Sequence, residues 1–199
     1  MGIQEQTITG NRKSGARRLA LCGLFAALTA AGAFIKITIP LQPFPMHITM
    51  QWFFVLLAGL LLEPELAAMS VGTYLAVGLL GIPVFAAGGG PAYLLRPTFG
   101  FLLGFWLAAW GMGRLCSMFR PAKLWGMLTV AVCGLAVYYL SGMVYFYLIS
   151  NYVILMPVGW KVVLVNCCLA TIVPDFLLCV LASGMALRMG PVLRGMGAL

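Results

Sequence analysis

The chain has 199 residues, 63% of them hydrophobic and only 8% charged, with a formal net charge of +8 and a mean hydropathy of +1.05. A soluble domain carries about 25% charged residues, so the composition argues against a water-solvated globule and makes a bilayer the solvent. The basic residues are scattered between apolar runs, with no patch interleaved with aromatics, which argues against a nucleic-acid partner and leaves membrane topology as the source of the charge.

The first segment, MGIQEQTITGNRKSGA, is polar and reads as a disordered or interfacial tail over residues 1–17. It is no convincing cleavable signal, because basic residues reach Arg18 and the apolar run continues to Ile35 without a small-residue cleavage site. A spanning helix needs about 20 apolar residues, and six candidates follow, at 18–37, 48–63, 65–82, 98–116, 124–149 and 161–188. The second and third are short and flank Glu63-Pro64-Glu65, the pattern of a tight helical hairpin. The expected fold is an all-α membrane protein of six transmembrane helices, its membrane domain running from 18 to 199 with a short cytoplasmic C-terminus. Cys22, Cys116, Cys133, Cys167, Cys168 and Cys179 form no CxxC pair, lie mostly inside apolar runs and read as packing residues. One His and four acidic residues leave little for a metal site, and none is expected.

Lys and Arg placement sets the orientation. With the N-terminus inside, Arg12, Lys13, Arg17, Arg18, Arg114, Arg120, Lys123, Arg188 and Arg194 face inward, against Lys36, Arg96 and Lys161 outward. Both termini are therefore expected in the cytoplasm. Glu63 and Glu65 dissent, forming an inner turn with no cation of its own. The outward connections are then 38–51, 81–97 and 150–161, all irregular and rich in Pro, Gly or aromatics. Non-helical backbone at a membrane must be buried in protein or line a polar cavity, so these outer loops are expected to cap a ligand pocket.

TMQWFFVLLAG (49–59), SVGTYLAVGLLGIPVFAAGGGPAYLLRPTFGFLLGF (70–105), YFYLISNY (145–152) and VPDFLLCVLA (173–182) closely resemble the BioY family, over roughly residues 18–188. Those proteins are the biotin-binding S components of energy-coupling factor (ECF) transporters. The resemblance implies a multi-pass protein of a prokaryotic cell membrane that captures biotin outside. Its partners would be the lipid bilayer, a transmembrane scaffold subunit and two cytoplasmic ATPases, with biotin as substrate and no cofactor. Many members carry an Asp followed three residues later by Lys in the sixth helix; Asp175 matches the Asp, and Leu178 stands at the Lys position. Some members have an Asn in the glycine loop, where this chain has only Gly88, Gly89 and Gly90.

Biotin offers ureido donors and an acceptor, an apolar thiophane ring and a carboxylate. Asp175 is the only acid inside a span, a costly placement that marks function, and suits a ureido N–H; Pro174 before it removes a backbone donor and is expected to kink the helix. Gly88, Gly89 and Gly90 permit close backbone approach and positive φ. Tyr93 supplies a ring face and a hydroxyl. Arg96 suits the carboxylate through paired hydrogen bonds, with Lys36 and Lys161 as alternatives. Thr49 and Gln51 at the mouth of the second helix, then Tyr145 and Asn151, complete the expected contacts; His47 reads as an interfacial side chain. Ala26, Ala27, Ala30 and Ala31 give small-xxx-small spacing, and an alanine face there resembles the surface that S components present to the scaffold.

The chain has no GxxxxGK[ST] and is not itself the ATPase. Alternatives are a solitary biotin transporter, an S component for another small vitamin, or an intramembrane enzyme. The last finds poor material for a nucleophile–base pair in one His and one buried Asp, and no catalytic residue is expected.

Overall fold

The computed structural model describes residues 2–40 and 46–195. Helix α1 runs from Gly2 to Phe34, so the polar segment expected as a disordered or interfacial tail is helical and continuous with the first apolar run. No proline precedes Pro40 to stop it. It ends where β-branched residues begin to alternate. Lys36–Ile39 (β1) and Met46–Thr49 (β2) pair antiparallel, with Lys36 opposite Thr49 and Thr38 opposite His47. The first connection, expected to be irregular, is thus a β-hairpin at its described residues, because Ile37, Thr38, Ile39, Ile48 and Thr49 favour extended backbone. Residues 41–45 of that connection lie outside the described residues.

Helix α2 (Gln51–Leu61) is buried along nearly its whole surface, packed against α1 and the later helices of the bundle, as a helix apolar all round must be. It stops because Pro64 drives Glu63 into extended backbone (ψ 150°). Pro64 then opens α3 (Pro64–Leu79), where its missing N–H costs nothing. Helices α4 (Phe99–Phe119) and α5 (Leu124–Leu148) pack along their length, separated by Arg120 in the left-handed conformation and by Pro121. Met112 of α4 lies between Gly59 of α2 and Gly134 of α5; a Cβ on Gly59 would come within 2.8 Å of its methyl and one on Gly134 within 2.5 Å of its sulfur. Close approach at small residues is how helices associate where lipid removes the hydrophobic drive.

The sixth rod is interrupted. Helix α6 (Trp160–Leu164) passes through a π-helical turn, Val165–Leu169, before α7 (Ile172–Gly195). Pro174 was expected to kink a continuous helix; it sits in the first turn of α7, and the break precedes it. Among the described residues there are six helical rods, and four segments are long and apolar enough to cross a membrane: 15–34, 99–119, 124–153 and 160–191. Helix α2 has 11 residues and rises about 17 Å, little more than half of a ~30 Å hydrocarbon core. That shortfall leaves room for the hairpin and the 81–97 loop above its first turn. At the opposite end of the bundle, Arg18 pairs with Glu63 at 2.7 Å. The acidic turn therefore borrows its cation from α1, through a contact too far along the chain (45 residues) for local reading.

Candidate functional site

Because α2 is central and short, its first side chain, Gln51, stands at the floor of the hairpin end. Gln51 is only 2% exposed. Its amide Nε2 donates to the Tyr74 hydroxyl, and its Oε1 accepts from Thr49 Oγ1 at 3.2 Å. Above this floor is a cavity of ≈ 50 Å³, or ≈ 460 Å³ with its open mouth included. Its polar lining comes from His47, Thr49, Gln51, Tyr93 and Thr98, and its apolar lining from Ala86, Phe101, Leu102, Phe105 and the Tyr138 ring. The Tyr138 ring lies nearly parallel to both Trp52 (4.6 Å between centroids) and Phe105 (5.2 Å), which are 5.9 Å from each other, so three helices fix the plane of this wall.

The covers are joined to each other. Lys36 of β1 donates to the Ala86 carbonyl in the glycine loop, and Thr38 shares a 2.9 Å hydrogen bond with His47. Burial, Lys36 and Arg96 push the His47 imidazole below its ordinary value of 6.5, which favours a neutral ring. Arg96 lies with its guanidinium carbon 5.2 Å from the centroid of the Tyr93 ring. Burial raises the Tyr93 hydroxyl above its usual value, keeping it a protonated donor.

The structure brings Thr49, Gln51 and Tyr93 together on one cavity, with the Arg96 guanidinium over the Tyr93 ring. It also adds residues that sequence reasoning missed. His47 was read as interfacial and lines the cavity; Thr98, Phe101, Phe105 and Tyr138 were not singled out, although Phe101 and Phe105 stand four residues apart on one helix face.

Two of the three glycines, Gly88 (φ 117°) and Gly90 (φ 98°), carry the positive φ expected of them. Gly89 has no such φ, but a Cβ there would overlap the Ile82 carbonyl. Phe85 and Gly88 exchange backbone hydrogen bonds, and Gly90 N–H donates to the Gly78 carbonyl at 2.8 Å. The close approach of the triplet is therefore to the end of α3, and the loop presents Ala86 to the cavity.

Three expected contacts are engaged elsewhere. Asp175, 4% exposed, accepts from the Tyr139 hydroxyl at 2.7 Å, and Tyr139 shares a 3.1 Å bond with Thr171. Asp175 lies behind the cavity wall, next to the residue that follows Tyr138. Tyr145 donates to the Leu94 carbonyl at 2.6 Å, clamping the loop to α5. Asn151 donates to the Tyr147 and Val158 carbonyls and accepts from Val158 N–H, closing the connection between α5 and α6. Lys161 is in the first turn of α6. On α1, Ala26 is buried and Ala30 partly so, while Ala27 and Ala31 face outward.

Comparison with known proteins places this geometry. The model of the BioY family matches residues 5–195. A probable biotin transporter BioY from Lysinibacillus sphaericus is 38% identical over 181 residues, covering 91% of this chain and 90% of that one. The biotin transporter BioY of Thermotoga maritima is 39% identical over 127 residues, covering 63% and 72%. The crystal structure of an S-component for biotin from an ECF-type ABC transporter superposes with a TM-score of 0.77 at 24% identity, covering 90% of this chain and 92% of that one, and shares the fold. With the glycine-loop pattern, the six-rod architecture and a family match over nearly its whole length, this chain belongs to the BioY family.

Proposed function

We infer that the chain captures biotin at its hairpin end and passes it inward, as an S component working with an ECF scaffold subunit and two cytoplasmic ATPases. The cavity carries this reading. It combines a buried amide and hydroxyls at the floor for the ureido group with aromatic walls from Phe101, Phe105 and Tyr138 for the thiophane ring. Its rim holds cations, Arg96 and Lys36, for the carboxylate. Leu178 makes the family's lysine position apolar here, which shifts the carboxylate role to that rim. Asp175 lies behind that wall, bonded to the Tyr139 hydroxyl, and would act on the ligand through the α5 segment that carries Tyr138 and Tyr139.

The hairpin end faces outward and both termini face the cytoplasm of a prokaryotic cell, since Arg18, Arg114, Arg120 and Arg188 lie toward the other end. Ala27 and Ala31 form the outward strip of α1 that suits a scaffold helix. The protein moves its substrate unchanged, without a cofactor, and is not an enzyme. Equilibrium binding of labelled biotin to the purified protein is the test. Saturable binding that unlabelled biotin competes away is expected; absence of such binding by folded protein sinks the reading.

A further inference from the structure

Gln51 lies at the cavity floor, and its amide has a polarity that the surrounding groups dictate. The Tyr74 hydroxyl is 3.4 Å from the Val84 backbone carbonyl, to which it donates. A carbonyl can only accept, so the hydroxyl proton is committed there. The tyrosine oxygen can then only accept from the amide, and the amide atom facing it must be Nε2 rather than Oε1. Thr49 Oγ1 completes the assignment by donating to Oε1. The chain of roles runs from a backbone carbonyl, which has no choice, to a side-chain amide that otherwise has two.

A primary amide has two N–H donors and two acceptor lone pairs. Tyr74 takes one donor and Thr49 one lone pair, so one N–H and one lone pair remain uncommitted among the described residues. In a primary amide the N–H cis to the oxygen and the oxygen lone pair on the nitrogen side share one edge. A cyclic urea presents the complement, an N–H beside a carbonyl oxygen, and the two edges close through parallel hydrogen bonds. Tyr74 is itself 1% exposed, packs edge-on to Phe85 and does not line the cavity.

We propose that Tyr74 is a positioning residue that locks the Gln51 amide in the one orientation that reads the –NH–CO– edge of a ureido ring. The lock also reports the state of the glycine loop, because its fixed end is the Val84 carbonyl. The proposal rests on the biotin reading and gives it a specificity mechanism: the floor rejects a ligand with an N–H where biotin has its ureido oxygen.

The probe is 2-iminobiotin, a cyclic guanidinium with that replacement. Affinities for biotin and 2-iminobiotin are measured on purified protein in parallel. The wild type is expected to prefer biotin strongly, since a donor facing Nε2 leaves buried groups unpaired. Tyr74→Phe frees the amide to flip and is expected to narrow the preference about tenfold. General damage to the fold would weaken both ligands alike and leave their ratio unchanged. Gln51→Glu places a carboxylate opposite the guanidinium, a favoured pairing, and is expected to reverse the order of the two ligands. An unchanged ratio in folded Tyr74→Phe overturns the lock. If Tyr74→Phe fails to fold, Gln51→Glu decides alone, and a wild-type ratio there removes the amide from the ureido edge. A wild type that binds biotin without distinguishing the two probes also overturns the proposal, while one that binds no biotin removes the functional reading and this inference together.

Discussion

Arg96 stacks its guanidinium over Tyr93, 5.2 Å from the ring centroid, on a tyrosine that also lines the cavity. A cation held over an aromatic face is kept near the site without an acid to neutralise it. Arg96→Ala is therefore expected to weaken biotin about tenfold, in line with a hydrogen bond to a charged group. Biotin amide should lose much less, because it has no charge for the guanidinium to meet. Competition binding with both ligands checks this; equal losses would leave Arg96 an interfacial anchor and pass the carboxylate to Lys36 or Lys161.

Gly89→Val is expected to displace the loop that carries Ala86 and Tyr93, because the added Cβ overlaps the Ile82 carbonyl. Overpacking of this kind costs roughly 1–3 kcal/mol, so both biotin affinity and the thermal midpoint should fall. Gly184→Ala, in α7 where a Cβ meets nothing within 4 Å, is the control: biotin affinity should be unchanged and the thermal midpoint should not fall, since Ala favours a helix interior over Gly.

Asp175→Ala removes the acceptor of the Tyr139 hydroxyl. The expected outcome is biotin binding weaker by more than tenfold, about 1.4 kcal/mol, in protein that still inserts and folds. Unaltered affinity in a well-folded variant would make Asp175 a brace between α5 and α7 alone.

Ala27 and Ala31 face away from the bundle, whereas Ala26 packs within it. Ala27→Leu or Ala31→Leu is expected to block co-purification with the scaffold subunit by bulk alone, leaving biotin binding by the isolated protein intact. Reduced binding with normal complex formation would show the strip to be internal packing.

His47 titrates below 6.5 in the folded protein, so as pH falls beneath 6.5 the unfolded chain takes up the proton first. Folding stability at the hairpin end is then lost progressively on acidification and recovered as pH rises. An anionic ligand on the neighbouring rim opposes Lys36 and Arg96, and saturating biotin should raise the imidazole midpoint. Histidine NMR titration with and without biotin reads both effects; a midpoint at or above 6.5 without ligand contradicts the first.

The six rods were legible because runs of apolar residues are long and their breaks carry Pro, Gly or charge. Thr49, Gln51 and Tyr93 were legible for a related reason, since their motifs are local and adjoin α2 and the glycine loop. The far wall was not. Phe105 and Tyr138 meet only because α4 and α5 pack tightly, with Gly100 and Gly104 set against Tyr145 and Ser141, a pairing that single-segment periodicity does not encode. Asn151 and Tyr145 looked like ligand groups by type and position, yet Asn151 is committed to backbone carbonyls at its own connection and Tyr145 to the Leu94 carbonyl of the glycine loop. The hairpin was hidden by brevity, as four alternating residues beside Pro40 look much like irregular chain.

The bond from Lys36 to the Ala86 carbonyl ties two separately encoded covers into one door. Moving either cover alone breaks that bond, so the hairpin and the glycine loop resist opening together. A clasp of this kind lengthens residence more than it hastens arrival, as is usual where related binders differ in affinity. For biotin uptake, such a clasp favours keeping what has been captured over exchanging it rapidly.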